Sequence, residues 1–316
     1  MPKRPMRYLA AVFCAFAVGA AGSCHTPPAN ETRSYYMARN SPSAAAALGC
    51  FNSDKSGRLT LFFGAPTTVG GAYGATAWGS PDLRMSGIEN AVKSFIRGYA
   101  YCRSNAGYRL QIGVGTSNST IDSRQGAWLQ AHGYAWATSV RALAAWANAY
   151  FPGVAQVFGA WDPEPSWSRF SPAETWMHGY DSRPHRQLMF VNASADGCST
   201  TSANNDPCNN GWSQRRVWHL AWQHDPSLPI PQIYTGSGTQ ARQWKLIDLW
   251  ATIFAGDGMY FYGSLSQSGA CRQVGGCAGT SNTAHQAHDQ LLWWLQTDPR
   301  TTQPSLQTMT DVNWNS

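Results

Sequence analysis

The chain has 316 residues, of which 43% are hydrophobic, 13% aromatic and 13% charged. This composition is too apolar for a disordered chain, and no apolar run reaches the ~18 residues that a membrane-spanning helix needs. Half of the formal net charge of +6 comes from Lys3, Arg4 and Arg7. No Lys/Arg cluster occurs beyond them, so we expect no nucleic-acid partner.

The first residues have the three parts of a secretory signal peptide. Residues 1–7 are basic, residues 8–21 are apolar, and the small residues Ala21, Gly22 and Ser23 follow. This pattern predicts a signal peptide over residues 1–23 and an exported protein, extracellular or attached to the cell envelope. Cys24 then follows as in a bacterial lipobox, although the usual Leu is missing. A lipid anchor at Cys24 and ordinary cleavage both remain open, and the anchor is the only membrane contact expected.

Six cysteines remain beyond Cys24, and an even number in an exported chain indicates disulfides. Proximity in the sequence favours the pairs Cys50–Cys102, Cys198–Cys208 and Cys271–Cys277. A zinc site is not supported, because no Cys-x2-Cys occurs.

Residues 24–57 are rich in Pro, Ala, Ser and Asn, and this composition predicts a flexible tether. Beyond it, short apolar runs predict strands at residues 58–65, 108–115, 154–161, 187–193, 230–234, 258–263 and 305–312. Helical spacing of apolar residues predicts helices at residues 86–104, 132–150, 213–223, 240–254 and 283–296.

Strands that alternate with helices along a whole chain indicate a parallel sheet. At this length the choice is between a (β/α)8-type TIM barrel, with seven or eight strands, and a doubly wound open sheet. The open sheet is disfavoured because no Gly-x-Gly-x-x-Gly follows the first strand and no P-loop lysine motif occurs. We therefore predict an α/β fold with a single barrel domain over residues 58–316 and no cofactor.

Two carboxylates follow the strand predicted at residues 154–161. Asp162 and Glu164 point to the same side of an extended segment, with Cα atoms ~6.6 Å apart, and Pro163 and Pro165 stiffen that segment. Carboxyl ends of barrel strands form the active-site mouth, and two like charges this close raise the pKa of one carboxyl. The pattern predicts a general acid and a partner carboxylate. A helix cap or a calcium site is the alternative.

Several aromatic and amide side chains near the predicted strand ends are candidates for contacts with a sugar. They are Asn118, Trp161, Trp167, Asn192, Gln232, Tyr234 and Tyr262. For each of them a place in the core or in a turn is the alternative.

Other catalytic signatures are weak. His285 and His288 lie three residues apart on a predicted helix, but no third ligand is evident, so we predict no metal site. A protease or esterase is poorly supported, because no Gly-x-Ser-x-Gly elbow occurs.

The Asp-Pro-Glu run at residues 162–164 resembles the Asp-x-Glu motif of the family 25 glycoside hydrolases, which are secreted, lysozyme-like muramidases. Residues 231–234 (PQIY) are similar to a Pro-x-Ile-Tyr strand of that family. Gly98-Tyr99 with Cys102, residues 115–118 (GTSN) and residues 161–167 (WDPEPSW) also resemble a group of secreted actinobacterial glycoside-hydrolase-like barrels. One departure is the absence of an acid at Phe62–Pro66, where the muramidases carry an Asp at the end of the first strand.

The resemblance implies a barrel that cleaves a polysaccharide, such as a cell-wall glycan. Glu164 would protonate the leaving oxygen. Asp162 would orient a 2-acetamido group or a water, or stabilise developing positive charge. The missing first-strand acid leaves a second hypothesis open, namely a non-catalytic glycan-binding or envelope-structural barrel.

Overall fold

The computed structural model describes residues 30–78 and 81–315. The strands are β1 (Asn30–Tyr36), β2 (Gly57–Phe62), β3 (Ala65–Val69), β4 (Ala72–Thr76), β5 (Leu83–Arg84), β6 (Leu110–Ser117), β7 (Ala155–Asp162), β8 (Met189–Val191), β9 (Ser227–Pro229), β10 (Gly263–Ser266) and β11 (Thr308–Trp314). The helices are α1 (Pro42–Phe51), α2 (Met85–Cys102), α3 (Gly126–Tyr150), α4 (Phe170–Asp181), α5 (Gln214–Trp218), α6 (Thr239–Trp250), α7 (Ser268–Gln273) and α8 (Ala284–Gln296).

Eight of the strands form one barrel. Hydrogen bonds join them in the order β10-β11-β1-β2-β6-β7-β8-β9, and each pair is parallel. The residues after β9 close the ring on β10: the Leu265 N–H donates to the Pro231 carbonyl, and the Ile233 N–H donates to the Leu265 carbonyl, each at 2.9 Å. The predicted (β/α)8-type TIM barrel is confirmed, with eight strands.

Alternation along the strands divides the apolar core into an inner and an outer part. Successive side chains of a strand point to opposite faces. On β7, Phe158 and Ala160 pack inside the barrel, whereas Val157 and Trp161 pack between the barrel and its helices. The same parity places Asp162, the last residue of β7, on the inner face at the carboxyl end of the strand.

The tether predicted at residues 24–57 is wrong for the part that the structure describes. Residues from 30 onwards form β1, which lies between β2 and β11 in the barrel, and α1, which begins with Ser41 as its N-cap. The segment is rich in Ala, Ser and Asn and has few large aliphatic side chains, so its composition resembled a linker. The predicted signal peptide, Cys24 and residues 25–29 lie outside the described residues. The first barrel strand therefore ends at Tyr36 and not near Ala65.

An antiparallel three-stranded insertion, β3-β4-β5, lies between β2 and α2. The buried His132 of α3 connects it to helix α4 outside the barrel. His132 Nε2 lies 2.8 Å from the Gly74 carbonyl of β4, and its Nδ1 accepts from Trp176 Nε1 at 2.9 Å. Because Nδ1 accepts, Nε2 carries the proton and donates to Gly74. This insertion and helices α4 and α7 were not predicted.

The bounds of two strands differ from the prediction in a way that matters for the site. In place of the strand predicted at residues 230–234, β9 begins three residues earlier. Residues 231–233, which follow β9, close the barrel on β10. The strand predicted at residues 258–263 is β10, which begins at Gly263. Tyr262 therefore precedes its strand and lies at the amino end, opposite to the mouth formed by carboxyl ends.

Disulfides join Cys50 to Cys102, Cys198 to Cys208 and Cys271 to Cys277, so all three predicted pairings are confirmed. Within residues 30–78 and 81–315, no helix combines the length and the apolar character that crossing a membrane requires.

Candidate active site

The backbone after β7 is held by one buried side chain. We call residues 162–168 the acidic turn. The Asn118 Oδ1 accepts from the Glu164 N–H at 2.9 Å, and the Asn118 Nδ2 donates to the Glu164 carbonyl at 2.9 Å and to Ser168 Oγ at 2.7 Å. Asn118 comes directly after β6, the neighbour of β7. This amide pairing fixes the backbone of Glu164 at the carboxyl end of the barrel.

One side-chain nitrogen bridges the two carboxylates. The Nε2 of Gln232 donates to Asp162 Oδ1 at 2.7 Å and to Glu164 Oε1 at 2.8 Å, with the Asn192 carbonyl at 3.1 Å. Three oxygens around this atom identify it as the nitrogen of the amide. Gln232 is neutral, so it orients both carboxyl groups without neutralising either one.

Burial determines the protonation of the pair. Asp162 is 2% exposed, and burial, followed by the charge of Glu164, raises its pKa well above the usual range. Burial also raises the pKa of Glu164 to about 8, against the lowering effect of the Gln232 hydrogen bond. The half-exposed Asp196, in the loop after β8, adds negative charge that raises both pKa values. The pair therefore retains a proton at neutral pH, as a general acid requires.

Aromatic rings from distant parts of the chain cluster around Tyr36, which lies near the pair. Tyr36, at the end of β1, packs against Trp78 at 4.6 Å and against Trp314 at 4.8 Å between ring centroids. Its hydroxyl bonds to Tyr234 and accepts from Gln267 Nε2 at 2.8 Å. Burial, with the charges of Asp162 and Glu164, raises the pKa of both phenols well above the usual range. Both phenols are therefore neutral donors near the acids.

Trp161 does not contact this mouth, so its predicted role in substrate binding is wrong. Its ring is fully buried and stacks on Trp176 at 4.0 Å with an interplanar angle of 6°. Trp161 precedes Asp162 directly, so the alternation of β7 directs it outwards when Asp162 points inwards.

Two predicted amide contacts are structural instead. Asn192 faces the inside of the barrel, where its Nδ2 donates to the Ile230 carbonyl and its Oδ1 accepts from Thr60 Oγ1. Both polar groups of its side chain are used by these contacts inside the barrel, so the structure gives its predicted contact with a sugar no support. Asn118 is also buried, and its amide is used by the acidic turn. Gln232 does lie at the site, where its side-chain nitrogen contacts the two carboxylates.

Tyr262 was predicted at the mouth, and this prediction is wrong for the topological reason given above. Its ring lies beneath the guanidinium of Arg58, 5.6 Å away, at the amino end of β2. The remaining aromatic candidates lie at the correct end. Trp167 is 40% exposed within the acidic turn, and Tyr234 is half-buried beside Tyr36.

Four residues near the site were not predicted from the sequence, namely Tyr36, Trp78, Trp314 and Asp196. Tyr36 and Trp314 are the last residues of β1 and β11, so correct bounds for those two strands would have indicated them. Trp78 belongs to the unpredicted insertion. Asp196 follows β8 closely, and only its position after a strand could have indicated it.

The histidines predicted not to bind metal are engaged elsewhere. His285 Nε2 lies 3.4 Å from Glu31, and His288 contacts Asp289 and the Leu306 carbonyl. In the part of the chain that the structure describes, no group of three His, Cys, Asp or Glu side chains is arranged to hold a metal ion.

No protein-family model matches the chain, and no curated protein matches it. The resemblance to family 25 glycoside hydrolases is therefore not supported. Among solved structures, the chain is similar to a GH18 chitinase from Pseudoalteromonas aurantia, with 10% identity and a TM-score of 0.44, over 90% of this chain and 94% of that chain. The barrel described above rests on its own strand pairing.

Proposed function

We propose that this protein is a glycoside hydrolase that cleaves a polysaccharide, with Glu164 as general acid and Asp162 as the partner carboxylate. One observation carries the proposal: two carboxyl groups at the carboxyl end of a barrel are bridged by the single amide nitrogen of Gln232. Burial raises the pKa of Glu164 to about 8, so this carboxyl holds a proton to give at neutral pH.

The reaction begins with the transfer of the Glu164 proton to the glycosidic oxygen as the bond from that oxygen to the anomeric carbon breaks. Asp162 and Glu164 follow the same strand, so they do not face each other across the sugar as in a simple retaining enzyme. Asp162 therefore orients a nucleophile other than itself: the 2-acetamido group of the substrate, or a water. If the 2-acetamido group attacks, Glu164 recovers its proton from the water that then adds to the anomeric carbon. If a water attacks directly, Asp162 accepts the proton of that water, and Glu164 regains its own proton from solvent after the product leaves.

The surroundings suit a sugar ring. Trp78 and Trp314 present aromatic surface beside Tyr36, and Trp167 is exposed on the acidic turn. Tyr234 and Tyr36 offer neutral hydroxyl groups. An apolar ring face can pack on the tryptophans while the phenols bond to polar substituents. The three disulfides are typical of an exported chain, and we propose a cell-wall or environmental glycan as the substrate.

The test is sugar release from purified cell wall and a panel of polysaccharides by the wild type and by Glu164→Gln. We expect release by the wild type and a loss of at least ~100-fold in the variant, as for a missing general acid. Glu31→Gln is the matched control, because Glu31 is exposed and pairs with His285. Circular dichroism checks that each variant folds.

The second candidate is a non-catalytic glycan-binding barrel. The burial of Asp162, which is only 2% exposed, favours it, because a buried carboxylate reaches substrate only if the mouth opens. In that case the wild type and Glu164→Gln would both bind an insoluble glycan with equal affinity, and neither would release sugar.

A further inference from the structure

A disulfide-closed loop lies against the acidic turn on the side opposite to Asn118. We call residues 196–212 the cystine loop, because the Cys198–Cys208 disulfide closes it. Its two ends are joined by a hydrogen bond from the Asn209 N–H to the Asp196 carbonyl at 3.0 Å. Gln243 of α6 donates to the Cys198 carbonyl at 2.8 Å and connects the loop to the barrel.

Three side chains at the end of the cystine loop donate to three residues of the acidic turn. Asn210 Nδ2 donates to the Pro165 carbonyl at 2.7 Å. Asn209 Nδ2 donates to Ser166 Oγ at 2.9 Å. The indole of Trp212 donates to the Ser168 carbonyl at 2.8 Å.

These contacts complete a two-sided support for Glu164. Asn118 holds the Glu164 N–H and carbonyl from the β6 side, and the cystine loop contacts three of the next four residues from the β8 side. Asn210 has φ of +50°, a conformation that Asn adopts more readily than most residues. The disulfide ends at Cys208, directly before Asn209 and Asn210. It constrains these two residues together with the buried ring of Trp212 and the hydrogen bonds between Gln214 and the loop backbone.

We propose that the cystine loop is a positioning element for the general acid, with Asn210 and Trp212 as positioning residues and the Cys198–Cys208 disulfide as the bond that keeps them in place. The inference rests on the proposed function, because it assigns the loop to the same site. Displacement of a reacting group by about 1 Å can lower a rate ~100-fold, so loss of this support reduces turnover more than substrate binding.

The first test compares Cys198→Ser/Cys208→Ser with Cys50→Ser/Cys102→Ser. The control disulfide joins the last turns of α1 and α2 at the far end of the barrel and closes a longer loop, with a sequence separation of 52 against 10. Its removal is therefore expected to destabilise the fold at least as much. We expect kcat to fall ~10- to 100-fold in the first variant, with KM within ~3-fold, and to stay near wild type in the control.

A second pair of variants leaves the disulfide intact. Asn210→Asp keeps the shape of the side chain but removes the N–H donor to Pro165. Asn204→Asp makes the same change at an exposed position of the same loop. We expect the kcat loss in the first variant only. Equal activity of Asn210→Asp and wild type, or an equal loss in Asn204→Asp, would overturn the inference.

A readout that does not need catalysis separates this inference from the proposed function. Exchange of the backbone amides of Glu164 and residues 166–168, measured by NMR, is expected to accelerate at least ~10-fold in Cys198→Ser/Cys208→Ser and in Asn210→Asp, but not in the controls. Unchanged exchange contradicts the positioning role, whatever the activity. If the wild type cleaves no glycan, the proposed function fails, and the exchange result alone decides whether the loop supports the turn.

Discussion

The side chain of Asn118 makes both hydrogen bonds of a backbone pair with Glu164, each at 2.9 Å. Asn118 therefore fixes the main chain of Glu164, the candidate general acid. The carboxyl group of Glu164 is left free to contact Gln232 and a substrate. The carboxyl end of β6 therefore supports the residue that follows β7.

Asn118→Asp tests this relationship. The variant retains an oxygen that accepts from the Glu164 N–H, but it cannot donate to the Glu164 carbonyl or to Ser168. We expect a loss of about 1–3 kcal/mol in the free energy of unfolding, measured by urea denaturation, because a buried acceptor loses its donor. We also expect a ~10- to 100-fold lower kcat. A variant as stable and as active as the wild type would show that the hydrogen bonds from Asn118 are not needed.

The Gln232 bridge predicts a pH effect with a definite sign. Its hydrogen bonds lower the pKa values of Asp162 and Glu164 against the raising effect of burial. Gln232→Met removes the donor at similar volume, so the pKa of Glu164 rises above its value of about 8. Because the acid must be protonated to act, the alkaline limb of the kcat/KM profile moves to higher pH. A limb that stays in place or moves to lower pH contradicts the assignment.

His132 makes the folded protein sensitive to acid. Burial lowers its pKa from 6.5 to about 4, so between these values the unfolded chain binds a proton that the folded chain does not. Stability from this group is complete above pH 6.5, falls as the pH decreases to 4, and changes no further below it. The loss amounts to up to about 3 kcal/mol. Urea denaturation at pH 7 and pH 4.5 measures it, and His132→Gln should remove this part of the dependence.

Trp161 and Trp167 lie six residues apart but are expected to respond to substitution in opposite ways. Trp161→Ala removes a fully buried ring that stacks on Trp176 and should cost about 3–5 kcal/mol of unfolding free energy. Trp167→Ala removes a ring that is 40% exposed, so stability should change by less than ~1 kcal/mol while retention on an insoluble glycan decreases. The two roles would be reversed if Trp161→Ala folds and is retained more weakly on the glycan while Trp167→Ala is retained as well as the wild type.

The barrel and the acid pair could be predicted because both depend on local patterns. The alternation of strands and helices continued over the chain, and Asp162 with Glu164 followed a strand directly. The same local rule, applied fully, excludes Trp161: two neighbours on one strand cannot both face the mouth.

The rest of the site depends on contacts between residues far apart in sequence. Tyr36, Trp78 and Trp314 meet because β1 pairs with β11 and an insertion covers them. Composition concealed β1, since a strand with Asn, Glu, Thr, Arg and Ser resembles a linker until its barrel neighbours are known. The strand near Tyr262 was predicted to begin five residues before Gly263, the first residue of β10. Tyr262 was therefore expected at the carboxyl end of a strand, whereas it lies at the amino end.

The central claim is that Glu164 donates a proton to the leaving oxygen, and the dependence on the leaving group tests it most directly. A substrate whose leaving group is an acidic phenol needs little protonation, whereas a sugar leaving group needs it fully. Glu164→Gln should therefore lose at least ~100-fold in kcat/KM on the polysaccharide but only a small factor on the matching aryl glycoside. Equal losses on both substrates, or no loss on the polysaccharide, would contradict the role of Glu164 as the general acid.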